Sequence, residues 1–240
     1  MINKDSSYID LKKVTKALTL RMPEIKGPWV ISKTPLGQSN PTFILTGSNG
    51  KLVLRKKPVG KLLRSAHMIE REFQVMAALG KTDVPVPKMH YLCEELTEIG
   101  TPYFVMEYVD GQSFLDPRIA QIGVPERKKV YEEAVKGLAN LHKVDPDLVG
   151  LTDFGKPGNY FSRQFSRWSR QYEVSQTDMI LPMETLMQWL SKNIPKEEGP
   201  SRLVHGDWRI DNLLFHRKQF KLVAILDWEL STLGDPRADL

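Results

Sequence analysis

Apolar and polar positions change their period once along this chain, near residue 110. Before that point the apolar residues fall in short runs bounded by turn-forming residues. Trp29–Lys33, Thr42–Thr46 and Lys51–Lys56 read as strands. Ser48-Asn49-Gly50 between the last two is a hairpin turn signal. One helix interrupts them, from about Ser65 to Leu79, with Ile69, Phe73, Met76 and Leu79 at helical spacing and Gly80 as its stop. Val84-Pro85-Val86-Pro87 breaks that pattern and leads to strands near Lys88–Cys93 and Tyr103–Tyr108. After Val109-Asp110-Gly111 the period becomes helical. Pro125 opens a helix to about His142, with Val130, Ala134, Leu138 and Leu141 on one face. Further helices are predicted near Tyr160–Glu173 and Met183–Lys192. The last stretch alternates short apolar runs, Leu203-Val204, Leu213–Phe215 and Leu222–Leu226, with acids. The pattern predicts an α+β chain of two lobes: a β-rich lobe over 1–108 with one helix, and a helix-rich lobe over 109–240, with a short linker near 109–112.

Composition narrows the setting. A chain of 240 residues can build one large domain or two small lobes around a cleft. The net charge is +5, with a pI near 9.1. That balance fits a solvated basic surface or a basic cleft for a polyphosphate better than a nucleic-acid partner. The basic aromatic stretch carrying Arg163, Arg167, Trp168 and Arg170 is read as a substrate-facing helix. No apolar run approaches the roughly 20 residues of a membrane span, and the N-terminus lacks the apolar core of a signal peptide. The single cysteine, Cys93, cannot form an internal disulfide, which points to a reducing, intracellular compartment. It lies in an apolar run and is expected to be a buried structural thiol. His67, His90, His142 and His216 show no metal-ligand spacing.

The strongest chemical signal is His205-Gly206-Asp207-Trp208-Arg209-Ile210-Asp211-Asn212, followed by Leu226-Asp227-Trp228-Glu229. Phosphoryl transfer needs a carboxylate to orient the attacking hydroxyl and accept its proton. It also needs oxygen ligands for Mg²⁺ on the phosphates. The spacing matches the protein-kinase pattern H-R-D, four residues, N, then D-F-G, with Gly206 in place of Arg and Trp228-Glu229 in place of Phe-Gly. A hairpin of Leu213–Phe215 against Leu222–Leu226 would bring Asn212 and Asp227 side by side. On the third strand, Arg55 stands where such a site needs a cation for the α- and β-phosphates. Its partner carboxylate should lie on the following helix, where Glu72 is preferred over Glu70 because it flanks Phe73. The loop Gly37–Pro41 sits where a phosphate-covering loop belongs, with backbone N–H groups from Gly37 onward and the Ser39 hydroxyl available. It does not match G-x-G-x-x-G. An adenine ring would meet the backbone around Glu107 to Val109.

At these residues the chain resembles the aminoglycoside phosphotransferase and choline kinase superfamily, over most of its length from about residue 25. Gly37–Phe43, Leu54–Pro58, Arg163-Gln164 and Leu226–Thr232 carry a narrower resemblance to the kinase-like domain found fused to acyl-CoA dehydrogenases. The resemblance implies a protein-kinase-like two-lobed fold and a hydroxyl-directed kinase using ATP and Mg²⁺. By motif position, Asp207 would be the catalytic base, Asn212 and Asp227 the magnesium ligands, and Arg55 the phosphate-pairing cation. The narrower resemblance implies a hydroxyacyl-CoA substrate, such as a 4-hydroxy fatty acyl thioester, and a place in fatty-acid breakdown. It also implies further helices beyond Leu240, so the C-terminal lobe is expected to be truncated here. The competing reading is a catalytically inactive nucleotide-binding or interaction module.

Overall fold

The computed structural model describes residues 9–34, 40–58 and 67–240. Five strands form an antiparallel sheet: β1 (Val30–Lys33), β2 (Thr42–Thr46), β3 (Lys51–Lys56), β4 (Met89–Cys93) and β5 (Tyr103–Glu107), in the order β1-β2-β3-β5-β4. The β2–β3 hairpin pairs Thr42 with Arg55 and Thr46 with Lys51, as the Ser48-Asn49-Gly50 turn predicts.

Strand parity divides the sheet into two faces. Leu52 and Leu54 of β3, with Tyr103 and Val105 of β5, join one core. Helix α1 (Leu11–Arg21) closes that core with Val14 and Leu18. Val53 of β3, with Phe104 and Met106 of β5, joins the other, against Ile69, Val75 and Met76 of α2 (Ile69–Leu79). Arg55 shares the parity of Val53, so β3 delivers it to the α2 side. Lys56, of opposite parity, is also buried.

Two features differ from the pattern-based expectation. The first lobe carries more than one helix: α1 and a single turn, α3 (Leu96–Ile99), are present as well. The α1 signal is weak because its buried Val14, Ala17 and Leu18 are matched in number by Lys12, Lys13 and Lys16. Its start is fixed by the Asp10 carboxylate, which accepts from the amides of Lys12 and Lys13 at 3.0 and 3.3 Å. Helix α2 begins at Ile69, four residues later than expected at about Ser65. His67 adopts φ 61°, outside the helical region.

The second core continues without a break into the helical part. Val130, Ala134 and Leu141 of α4 (Val124–Lys143) pack with Phe114, Phe215 and Trp228. Helices α5 (Tyr160–Ser175) and α6 (Leu181–Lys192) follow. Strand β6 (Arg202–Val204) pairs with β9 (Thr232–Gly234), and β7 (Leu213–Phe215) with β8 (Leu222–Ile225). Cys93 is buried and reduced. No described helix is long and apolar enough to cross a membrane.

Candidate active site

Arg55 organises the site. Its Nε lies 2.9 Å from Glu72 Oε2 on α2, and its Nη2 lies 2.8 Å from Asp227 Oδ1 beyond β8. Glu229 stands 3.9 Å from the same Nη2. One guanidinium therefore meets three carboxylates. Burial opposes the charge on Arg55, but Glu72, Asp227 and Glu229 outweigh it and raise its pKa. Of the two helix carboxylates, Glu72 lies beside Arg55, while Glu70 pairs with Lys57.

Burial pushes the Glu72 carboxyl up to about 7, with Asp227 and Glu229 adding to the shift and Arg55 opposing it. A raised carboxyl binds its proton more tightly folded than unfolded. That contribution to stability is complete below the unfolded value of 4.5 and is lost as pH rises through about 7. Glu72→Gln does not titrate. The stability difference, variant minus wild type, is therefore expected to move in the variant's favour between about pH 5 and pH 8, by on the order of 1–3 kcal/mol. Denaturant unfolding across that range measures it, and a flat difference would return Glu72 to the ordinary carboxylate range.

The catalytic-loop candidates converge through the β7–β8 hairpin. Leu213 pairs with Ile225, and Leu226 N donates to Asn212 O at 2.9 Å, so the residues flanking Asn212 and Asp227 meet at one end of the hairpin. Asn212 Nδ2 donates to Asp207 Oδ2 and to Asp207 O, both at 2.9 Å. With its nitrogen committed to Asp207, Asn212 keeps its side-chain oxygen as a possible metal ligand. Asp227 adopts φ 63°, ψ 61°, a left-handed conformation that few side chains other than Asn and Asp tolerate. Two hard oxygen ligands on adjacent loops suit Mg²⁺, which usually takes one or two protein ligands and fills its shell with water and phosphate oxygens. Among the described residues, no group of three or more His, Cys, Asp or Glu side chains forms a metal cage.

Two residues that the motif reading left without roles hold these loops. His205 is buried, and burial lowers its pKa, which keeps it neutral. Its Nδ1 accepts from Asp207 N at 3.2 Å, so the proton sits on Nε2 and is donated to Leu226 O at 2.9 Å. His205 thus ties the Asp207 loop to the residue before Asp227. Asp239 supports the same loop from below. Its carboxylate accepts from His205 N at 2.9 Å and Gly206 N at 2.8 Å, and its Oδ2 lies 2.9 Å from His142 Nε2. The His205 signal was present in H-G-D. Asp239 had only its place in Asp235-Pro236-Arg237-Ala238-Asp239 to mark it. Gly206 also explains the departure from H-R-D: at φ 83° an added Cβ would lie 2.7 Å from Leu230 O.

The remaining predicted positions are divided. Gly37 and Ser39 lie outside the described residues. Glu107 donates its N–H to Lys88 O at 2.9 Å, and its carboxylate accepts from Lys88 N. Its backbone contribution to an adenine edge is therefore confined to the carbonyl. Val109 lies two residues beyond the end of β5.

A buried cation between the helix glutamate Glu72 and Asp227, with the loop aspartate Asp207 held by Asn212 at the end of the same hairpin, is the arrangement of a kinase-like phosphotransferase site. The model of the phosphotransferase enzyme family (APH) matches residues 30–240, and the chain belongs to this family. A crystal structure from Ralstonia eutropha, provisionally described as an aminoglycoside phosphotransferase, is 41% identical, with a TM-score of 0.84, and the match covers 97% of this chain and 68% of that one. The streptomycin–ATP–APH(2″)-IIa ternary complex shares the fold at 20% identity, with a TM-score of 0.67 over 100% of this chain and 75% of that one. Acyl-CoA dehydrogenase family member 10 of Mus musculus is 45% identical over 214 residues, covering 89% of this chain. The chain spans 20% of that relative's length. The fold is the two-lobed kinase-like α+β fold of this phosphotransferase family.

Proposed function

We propose that the enzyme transfers the γ-phosphoryl group of ATP, with Mg²⁺, to a hydroxyl of a hydroxyacyl-CoA. The observation that carries the phosphotransfer reading is the Asp207–Asn212 pair beside Asp227. Asp207 takes the proton of the attacking hydroxyl. Asn212 and Asp227 would hold Mg²⁺, which would supply charge neutralisation for the phosphates. Arg55 pairs the phosphates, and the Glu107–Val109 backbone meets the adenine.

Two observations support the acyl thioester. The 45%-identical stretch of the mouse relative lies in a protein named as an acyl-CoA dehydrogenase. On this chain, α5 and α6 enclose an apolar groove of about 330 Å³, lined by Phe161, Phe165, Trp168, Met183, Leu186 and Leu190. The groove begins at Phe161, whose ring lies 5.6 Å from the Arg237 guanidinium, in the same turn as Asp239. An acyl chain suits such a wall better than a polycationic sugar does.

Thermal unfolding with Mg-ATP, beside Asp227→Ala, tests the nucleotide site. At about 100 times its Kd, a ligand stabilises by roughly 2.7 kcal/mol. Wild type is expected to shift upward and Asp227→Ala not to. Equal shifts would remove Asp227 from the metal. ADP release with 4-hydroxyacyl-CoA, but not with the same acyl-CoA lacking the hydroxyl, then identifies the acceptor.

A further inference from the structure

Helix α2 carries two adjacent charged residues, Arg71 and Glu72, about 100° apart around its axis. Glu72 meets Arg55 within the active site. Arg71 points to the other lobe. Its Nη2 donates to Phe154 O at 2.6 Å and to Ser231 O at 3.3 Å, and its guanidinium carbon lies 4.0 Å from the centre of the Phe154 ring. Among the described residues these two carbonyls and the ring are its partners. Burial draws its pKa down, with no carboxylate to offset it. Keeping a half-buried guanidinium on neutral acceptors has a desolvation cost that an apolar side chain would avoid. That cost is a reason to look for a role beyond packing.

Both acceptors are fixed parts of the metal-loop framework. Ser231 ends the turn that begins at Asp227. Its N–H and its hydroxyl both donate to Trp228 O, at 3.1 and 2.6 Å. Phe154 is buried, and its N–H donates to Leu151 O at 3.0 Å. The next residue, Gly155, lies so close to β9 that an added Cβ would come within 2.7 Å of Leu233 N. Arg71 therefore fastens the helix bearing Glu72 to the segment bearing Asp227.

We infer that Arg71 is a positioning residue, which clips α2 to the Asp227–Ser231 turn and keeps the Glu72–Arg55–Asp227 chain assembled for Mg-nucleotide. This rests on the phosphotransferase reading above. Without the clip, α2 and the turn drift independently, and Arg55 is no longer held between its two carboxylates. Phosphate and metal binding suffer. Adenine binding, which rests on the β5 end, does not.

The test titrates the 240-residue chain with Mg-ATP and, separately, with adenosine, for wild type, Arg71→Met and Arg71→Lys. Arg71→Met is expected to weaken Mg-ATP by about 10- to 100-fold, as loss of a residue supporting metal ligands commonly does, and to leave adenosine unchanged. The Mg²⁺ concentration needed for half of the ATP effect is expected to rise with it. Arg71→Lys keeps the charge but not the guanidinium fork, and is expected to recover part of the loss. Wild-type Mg-ATP affinity in Arg71→Met overturns the inference. So does equal weakening of Mg-ATP and adenosine, which marks general loosening of the fold. If Arg71→Met does not fold, Arg71→Lys decides on the same two ligands. If wild type itself binds no Mg-ATP, the phosphotransferase reading fails first and takes this inference with it.

Discussion

Asp207→Asn is expected to lower kcat by about 10²- to 10⁴-fold, the usual contribution of a positioned general base. The substitution keeps the local geometry. An asparagine oxygen at position 207 can still accept from Asn212 Nδ2, which now lies 2.9 Å from Asp207 Oδ2. What is lost is the basic site for the acceptor hydroxyl's proton. Asp207 is not a proposed metal ligand, so Mg-ATP affinity is expected to stay within a few-fold of wild type. Single-turnover phosphoryl transfer and nucleotide binding, measured on the same preparation, separate the two. A kcat within tenfold of wild type would take proton transfer away from Asp207. A parallel loss of nucleotide affinity would make it a metal ligand instead.

Arg55→Met is expected to be the most destabilising single change at the site. Glu72 is 2% exposed, and Arg55 is its paired cation. At about pH 8, where Glu72 is ionised in the wild type, removing one partner of a buried pair typically costs about 3–5 kcal/mol, because the other charge must be left uncompensated or take up a proton. For a chain of this size that corresponds to roughly 10 °C in Tm. The double variant Arg55→Met/Glu72→Leu removes the stranded carboxyl and is expected to recover most of the loss. Neither variant is expected to show the Mg-ATP shift, because both lack Arg55, the cation proposed to pair the phosphates. A cost below about 1 kcal/mol for Arg55→Met alone would mean that Glu72 is protonated and independent of it.

The site was legible in the sequence wherever chemistry fixes residue type and spacing together. Asp207, Asn212 and Asp227 stand at the separations that a loop and a two-stranded hairpin impose. Arg55 followed from its place on the third strand, and Glu72 from its position beside Phe73 on its helix. The supporting residues were harder to find, because their partners are distant in sequence. Asp239 meets His205 and Gly206 across more than thirty residues, and nothing at position 239 alone marks a carboxylate that accepts from two loop amides. Arg71 has the same disguise: on a helix surface it reads as a solvated charge until the Phe154 and Ser231 carbonyls appear beside it. Helix α1 was hidden by composition, since three buried residues among several lysines leave little periodic signal. The hairpins and α4 were plain, because turn chemistry and a clean apolar stripe are local properties.

Asp239 also sets an order of events as the chain leaves the ribosome. The five-stranded sheet is complete once Glu107 has emerged, and its pairings need nothing downstream. The Asp207 loop must wait. Until Asp239 is available, the amides of His205 and Gly206 and the ring of His142 lack the carboxylate that receives them. Synthesis proceeds at about 5–20 residues per second, so several seconds separate a completed sheet from a supported Asp207 loop. During that interval the Asp207 loop lacks the support that Asp239 gives it.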